Sequence, residues 1–308
     1  EGHPWDLGDE DDVTSWVGVI SRMDAPQEFR DKVDRGELAF NYGIYFEYKN
    51  QNWDNDITGF QQGGDFDAAN RFVPRGLTTY TPNPWVRLGY RRIELEGELV
   101  AQLGSIERLD EYKLAGADIR KYGGVGRFTF NGLEGKLKLG LESGFASGDQ
   151  WDNKPAGNIH ISAANLLGER DADISAQDDK LSQFVFNREF KVDMILFRHL
   201  IGAVTNAGYV KPFLSYELTN SIAFKVANIT SFAAKPVATP GNSRMYGTEF
   251  NADIGYSSAG FYAGVAYGVL FPFAALNHPA GTSFGFAPEN QGDAGTSHAI
   301  QMRLMLKF

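Results

Sequence analysis

Apolar and polar side chains alternate along much of the chain with a period of two, which predicts β-strands that each have one apolar face. In residues 38–49, LAFNYGIYFEYK, every even position carries a large apolar side chain. Within residues 91–104, RRIELEGELVAQLG, Glu94, Glu96 and Glu98 lie on one face, and the positions from Ile93 to Leu103 on the other face are all apolar or glycine. The chain contains a further candidate strand over 15–22. We predict ten strands of the alternating design, within residues 38–49, 81–90, 91–104, 117–130, 133–142, 210–218, 222–227, 249–256, 261–269 and 298–308.

The connections between these strands alternate between short and long. Short turns rich in Asn, Gly and Ser fall near 90–92, 131–132, 219–220 and 257–260. Long polar loops fall near 51–79, 105–116, 148–206, 234–245 and 272–297. Outer-membrane barrels have short periplasmic turns and long external loops. The pattern therefore predicts an all-β fold, a transmembrane antiparallel up-and-down β-barrel that forms a single domain over residues 1–308.

Residues 24–36, DAPQEFRDKVDRG, predict a short helix where a periplasmic connection is expected. Asp24 is the expected N-cap, Pro26 lies in the first turn, and Gly36 follows the end.

The strand count raises a question of parity. Eleven strands would leave the first and last running in the same direction, whereas bacterial single-chain barrels use even numbers. Either residues 15–22 are not a strand, which leaves ten, or the chain is an N-terminally incomplete part of a larger barrel.

The final residues, HAIQMRLMLKF, alternate and end in an aromatic side chain. This ending resembles the C-terminal signature of bacterial outer-membrane barrels, which in that family marks the chain for the barrel-assembly machinery. The residues that carry the signature are Ile300, Met302, Leu304, Leu306 and Phe308.

Longer blocks carry a narrower resemblance. GYRRIELEGELVAQLG, ESGFASGDQ, LFRHLIGAVTNAGYVKPFLSYEL and GFYAGVAYGVLFPFAAL are similar to an uncharacterised group of large barrels from myxobacteria and their relatives, and more distantly to alginate-export porins. The resemblance implies a porin-like pore for hydrophilic solutes or for polysaccharide export. It implies lipid, lipopolysaccharide and envelope proteins as neighbours, and it supplies no catalytic residue.

Composition narrows the alternatives. The chain has 308 residues and no cysteine, which excludes disulfides, thiolate metal sites and thiol nucleophiles within it. Its net charge of -10 and lack of basic clusters argue against a nucleic-acid partner. A mean hydropathy of -0.31 fits a soluble β-sandwich or a barrel, because half of each barrel strand faces water.

The polar strand faces predict the candidate site, a charged lumen. According to register, Arg87 lies opposite Glu94 or Glu96. Such charges either stiffen a wet wall or create a transverse field that orients a polar solute. The predicted lumen-facing residues are Glu47, Lys49, Arg87, Glu94, Glu96, Glu98, Arg127, Lys136, Lys138, Glu142, Lys211, Glu217, Glu249, Asp253 and Arg303.

The long loop 148–206 is the candidate constriction. Its end, DMILFRHLIGAV, predicts a short helix with Asp193 as N-cap. Folded against the inner wall, this helix would bring Arg198 and His199 near the pore; otherwise it packs as an external loop helix.

No cofactor is expected. The acidic stretches 6–12 and 147–153 offer oxygen ligands for Ca²⁺, or are solvated loops that contact lipopolysaccharide through divalent ions. All five histidines lie in or beside loops and none forms a nucleophile motif, so we expect no enzymatic activity; an outer-membrane hydrolase is the rival class.

Overall fold

A single antiparallel sheet dominates the structure, a computed structural model that describes residues 13–55, 72–109, 115–149, 180–280 and 288–306. Eleven strands follow one another in chain order, and the two-residue β7 pairs in parallel with β5. The strands are β1 (Val13–Arg22), β2 (Ala39–Asn55), β3 (Phe72–Tyr90), β4 (Ile93–Ile106), β5 (Ala117–Gly132), β6 (Leu137–Ala146), β7 (Lys180–Leu181), β8 (Ala207–Glu217), β9 (Ile222–Ala233), β10 (Met245–Ser258), β11 (Phe261–Pro272) and β12 (Ser297–Leu306).

The predicted all-β, up-and-down order is confirmed, and long and short connections alternate from β2 onward, whereas the β1–β2 connection, 23–38, is as long as the one that follows β2. Two residues join β3 to β4 and β10 to β11, whereas residues 147–206 separate β6 from β8. Each of the eleven strands on the path has at least ten residues, enough for a tilted strand to cross a bilayer core of about 30 Å.

β2 and β3 are longer than their alternation predicted. Their pairing runs from Ala39 opposite Gly89 to Asn55 opposite Phe72, with a register shift between Gln51 and Trp53. The predicted loop 51–79 is therefore wrong at both ends, and the remaining connection, 56–71, lies outside the described residues.

The turn before β6 lies later than predicted. Leu133 and Glu134 have φ values of 49° and 55° and form a short 3₁₀ turn with Gly135. This left-handed backbone cannot continue a strand, so the predicted strand start at Leu133 is wrong. Lys136 follows this turn, exposed, and is not on the wall.

Residues 15–22 do form a strand, so the ten-strand alternative is wrong. Within the described residues β1 pairs only with β2 and β12 only with β11, and the order of the sheet makes β1 and β12 run in the same direction. The side chains confirm that β12 is an edge: Ile300 and Met302 are 70% and 76% exposed, against 41% for Leu139 inside the sheet.

The two faces of the sheet differ in chemistry. One face, called the outer face, exposes large apolar side chains on every long strand except β9, where Ile222, Phe224 and Val226 are half-buried. Exposure of so large a contiguous apolar area is not compatible with water and fits contact with lipid. The side chains at the positions between these point to the opposite side of the sheet. They form the inner face, which carries the charges. Outer-face examples are Tyr42, Phe46, Leu95, Phe128, Leu141, Val210, Ile254, Val265 and Leu304.

Helix α1 (Pro26–Asp34) lies between β1 and β2 and packs against the inner face. Phe29 and Val33 are buried with Ala39, and Gly89 is needed there because a Cβ would meet both side chains at 2.6–2.8 Å. The N-cap is Ala25, without a side-chain hydrogen bond, so the predicted capping role of Asp24 is wrong. Asp24 instead pairs with Lys32 at 2.9 Å. No helix among the described residues is both long enough and apolar enough to span a bilayer.

The largest apolar core lies on the inner face of β8–β11. The inward segment, residues 180–206, contributes Val192, Ile195, Leu196, Phe197 and Val204 to this core. The sheet contributes its side of the core through Tyr209, Ala227, Ile229 and Leu270. A connection predicted as a loop thus fills part of the interior.

Candidate functional site

A row of alternating charges crosses five neighbouring strands of the inner face, and we call it the charge row. The register places Arg87 opposite Glu96, Glu96 opposite Arg127, Arg127 opposite Glu142, and Glu142 opposite Lys211. The row therefore runs base, acid, base, acid, base across β3, β4, β5, β6 and β8. Each charge faces an opposite charge on the next strand, which is the favourable cross-strand arrangement.

Side-chain contacts connect the whole row. Arg87 Nε lies 3.2 Å from Glu96 Oε1, and Arg127 Nη1 lies 3.4 Å from Glu96 Oε2. Arg127 Nε donates to Glu142 Oε2 at 3.0 Å. Lys211 Nζ lies 3.5 Å from Glu142 Oε1. Glu94, next to the row, accepts from Arg87 Nη2 at 3.1 Å.

Solvent exposure decreases along the charge row from β3 to β8. The side chains of Arg87, Glu96 and Arg127 are 37–42% exposed. The side chains of Glu142 and Lys211 are only 3% and 10% exposed. Tyr209 Oη donates a further hydrogen bond to Glu142 at 3.1 Å. Buried carboxylates need such partners, because an unpaired charge away from water costs several kcal/mol (about 3–5).

Glu249 on β10 fixes the inward segment to the wall. Its Oε1 accepts the backbone N–H groups of Met194 and Ile195 at 2.8 and 3.1 Å, and its Oε2 accepts that of Leu196 at 3.1 Å. Glu249 is 1% exposed. A carboxylate that accepts three consecutive N–H groups compensates for its own burial and satisfies donors that would otherwise be unpaired.

Asp193 supports the next turn of the same segment. Its carboxylate accepts the N–H groups of Phe197 and Arg198 at distances from 2.9 to 3.2 Å, so it acts on the turn that it was predicted to cap. The turn, Leu196–Leu200, is π-helical. Burial, and then the nearby charge of Glu249, raise the pKa of Asp193 from 3.8 to about 7, against the opposing effect of the two hydrogen bonds.

The predicted constriction residues lie on this turn. Arg198 Nη1 donates to Gln301 Oε1 on β12 at 3.1 Å, which ties the inward segment to the last strand. His199 is exposed on the same turn. Residues 150–179 of the predicted constriction loop lie outside the described residues.

A cleft of about 280 Å³ separates the inward segment from the charge row. Its polar lining comes from Arg87, Glu96, Glu98 and Arg127, and Phe190 of the inward segment closes one side. Its apolar lining on the strands comes from Trp85 and Val125. We call it the aromatic cleft. Trp85 is accommodated by Gly43 on β2, where a Cβ would meet the indole ring at 2.7–2.9 Å.

The other predicted lumen residues lie apart from the charge row. Glu47 accepts a hydrogen bond from Ser15 at 2.7 Å, and Glu98 accepts one from Asn83 at 3.0 Å. Asp253 lies opposite Lys225 in the β9–β10 register. The remaining inner-face positions are Lys49, Lys138, Glu217 and Arg303.

Three predictions fall wholly or largely on residues outside the described part of the chain. They concern Phe308 and the two acidic stretches, of which only 147–149 are described. Among the described residues no group of three or more His, Asp and Glu side chains is arranged to hold a metal ion.

Sequence reasoning missed the hydrogen bonds of Glu249, the contact of Tyr209 with Glu142, and the aromatic cleft. Alternation placed Glu249 on the inner face, but it carried no signal for the segment 55 residues earlier that binds to it. For Phe190, the signal in the chain was the run of phenylalanines at 184, 186 and 190 within a polar loop. These aromatic rings pack against one another at centroid distances of 5.6–5.8 Å.

Comparisons with known proteins give weak similarities. No family model matches the chain, and no curated protein matches it. Among solved structures, the copper transporter OprC is 13% identical, with a TM-score of 0.41, over 94% of this chain and 47% of that one. OccK11 (OpdR) of Pseudomonas aeruginosa is 11% identical, with a TM-score of 0.40, over 96% of this chain and 71% of that one. The outer membrane phospholipase A of Escherichia coli is 8% identical, with a TM-score of 0.28, over 96% and 88%.

The chain thus spans about half the length of OprC. The assignment of the fold rests on the sheet itself. An antiparallel up-and-down wall with an apolar outer face, a charged inner face, short turns at one end and long connections at the other has the architecture of a bacterial outer-membrane β-barrel. The protein lies in that membrane, with its outer face in contact with lipid.

Proposed function

We propose that the protein forms a passive pore for hydrophilic solutes. The observation that carries this proposal is the exposed part of the charge row, where Arg87, Glu96 and Arg127 keep 37–42% of their side-chain surface accessible on the inner face of an apolar wall. Charges inside a membrane wall are costly unless water reaches them. An accessible row of paired charges therefore supports a water-filled interior.

The inward segment narrows this interior on the opposite side. It is held by Glu249 on β10 and by Gln301 on β12, and it faces the charge row across the aromatic cleft. A fixed segment opposite a charged wall is the arrangement by which pores limit solute size and select by charge. We propose that Arg198 and His199 line this constriction.

Single-channel recording in planar bilayers tests the proposal. We expect stepwise, ohmic conductance in potassium chloride from the wild-type protein. In a salt gradient, Glu96→Arg should shift the reversal potential toward anion preference, because it reverses a charge on the accessible wall. Glu289→Arg, which makes the same charge change on the exposed turn Pro288–Asn290, is the matched control and should leave the potential unchanged.

Two results would count against the pore. A wild-type protein that inserts without conducting would favour a structural or assembly-anchoring barrel. Equal shifts in Glu96→Arg and Glu289→Arg would mean that Glu96 does not face the conduction path.

Polysaccharide export is the narrower form of the proposal and rests on the resemblance to alginate-export porins. The same recordings test it, since added oligosaccharides should interrupt the current for measurable dwell times. Absence of such events would restrict the cargo to small solutes. We propose in addition that lipopolysaccharide, envelope proteins and the barrel-assembly machinery are partners, the last through the β12 signature.

We propose that the protein carries out no covalent chemistry. His298 contacts Tyr267 Oη at 2.7 Å, so this ring is paired with a phenol rather than with a serine. Incubation with phospholipid and ester substrates tests this proposal: turnover that is lost in His298→Ala or His199→Ala would contradict it.

A further inference from the structure

Among the described residues that line the aromatic cleft, Glu98 carries the charge that forms no ion pair. The other three charges there, Arg87, Glu96 and Arg127, belong to the charge row and contact one another. Within the described residues, Glu98 is bound only by the neutral amide of Asn83 at 3.0 Å. Glu98 is therefore the lining charge that is left without an ion pair, while both arginines of the lining are engaged by other carboxylates.

The charges of the row are balanced once Glu94 is counted. Arg87 contacts Glu94 and Glu96, and Arg127 contacts Glu96 and Glu142. Lys211 supplies the third cation through Glu142. The row together with its neighbour Glu94 holds three acids and three bases, so Glu98 adds one negative charge beyond this balanced set.

Aromatic and apolar surfaces stand beside this charge. Trp85 is the cross-strand partner of Glu98, and Val125 is its partner on the other side. Phe190 completes the lining from the inward segment. Aromatic faces next to a carboxylate attract a cation that also has an apolar body, because the ring quadrupole and the negative charge act on it together.

We propose that the aromatic cleft binds a small organic cation, an ammonium group on an apolar or aromatic body. The ammonium lies at Glu98 and the apolar body between Trp85 and Phe190. The proposal rests on the pore function, since it names the class of solute that the pore takes. The site also requires the docked inward segment, because Phe190 belongs to that segment.

Isothermal titration calorimetry of the full chain in detergent tests the site with benzyltrimethylammonium as the probe. Benzenesulfonate and benzyl alcohol keep the ring and change the charge to negative or to none. We expect the cation to bind at least about ten-fold more tightly than either of these, because only the cation gains both the cation–π contact and the attraction of the carboxylate. Glu98→Gln should weaken binding of the cation by about ten-fold, because it removes the negative charge and leaves the aromatic rings in place.

Glu217→Gln is the matched control, because Glu217 is also an exposed inner-face acid, at the end of β8, away from the cleft. It should leave the affinity unchanged. Glu98 is exposed, so its replacement should keep the heat-modifiable migration of the folded barrel. Trp85→Leu provides a second test, and it should weaken binding of the cation more than binding of benzyl alcohol.

Equal affinity for the sulfonate, unchanged affinity in Glu98→Gln, or an equal loss in Glu217→Gln would each overturn the proposal. The measurement needs no current across a bilayer. Conductance without cation binding would therefore contradict the proposed cation site and leave the pore proposal intact. Cation binding without conductance would contradict the pore proposal and leave the cation site intact.

Discussion

The two halves of the inner wall have the same sequence pattern and opposite environments. On β4, Glu96 lies at an alternate position and stays 37% exposed between two arginines. On β10, Glu249 also lies at an alternate position, yet it is 1% exposed and accepts three backbone N–H groups. The difference comes from the inward segment, whose backbone covers Glu249 on β10, whereas Glu96 lines a cleft that stays accessible.

This contrast shows that an inward-facing acid has no fixed role. Where water remains, an acid pairs with cations, and each pair adds little to stability because water screens it. Where a loop excludes water, the same residue type becomes an anchor for backbone donors, and each bond to it is worth more. Under the proposed function, charge tuning of the pore and anchoring of the inward segment therefore fall to different acids.

Removal of the anchor should have the largest effect. Glu249→Leu leaves three N–H groups without an acceptor, which should weaken docking of the inward segment by roughly 5 kcal/mol, at 1.5–3 kcal/mol for each bond to a charged group. Hydrogen exchange should show loss of protection at Met194, Ile195 and Leu196, and the mean conductance should rise.

Asp253→Asn is the control for this variant, since Asp253 lies on the same face of β10, four positions beyond Glu249. It should keep the protection of those three amides. If Glu249→Leu kept it as well, the hydrogen bonds of Glu249 would not be what holds the segment.

The pH dependence should be the next effect in size. In the docked segment the pKa of the Asp193 carboxyl is raised to about 7, whereas its ordinary value is 3.8. Docking is therefore strongest at the acidic end and weakens as pH rises from about 4 to about 7, by at most about 1.4 kcal/mol per pH unit. We expect amide protection of Phe197 and Arg198 to fall between pH 5 and pH 7, corresponding to a loss on the order of 3 kcal/mol.

The charged groups near Asp193 are Glu249, which raises its pKa, and Lys211, which lowers it. Asp193→Asn should make the protection insensitive to pH over this window. A protection that rises with pH, after correction for the intrinsic exchange rate, would contradict this assignment.

The smallest effect on stability should come from a change in the exposed part of the charge row. Glu96→Gln removes contacts with Arg87 and Arg127, whose side chains are 38–42% exposed, so the free energy of unfolding should change by less than about 1 kcal/mol. Denaturation in detergent measures it. A loss as large as that in Glu249→Leu would mean that the charge row is structural rather than part of an accessible pore wall.

Much of the fold followed from the sequence because the signals are local. A period of two fixes which side chains of a strand share a face, and Ile93 to Leu103 show this without any partner. Turn chemistry located most of the short connections. It failed at Leu133 and Glu134, where the apolar residue extended the alternation but the backbone turns with positive φ.

The candidate site followed only in part. The faces of Arg87 and Glu96 were predictable, but two partners for Arg87 remained open until register was known. A register is set by all residues of a hairpin and its neighbours together, so the five-strand charge row could not be derived from one strand.

By itself the sequence determined the strands, their apolar and polar faces, and the alternation of short and long connections, because these depend on residues within a few positions of one another. Only the tertiary structure decided that residues 180–206 turn inward, that Glu249 binds the N–H groups of Met194 to Leu196, and that Phe190 meets Trp85 across a cleft. Those contacts join residues far apart in the chain. Their free energy depends on which surfaces exclude water together, and that is a property of the packed molecule.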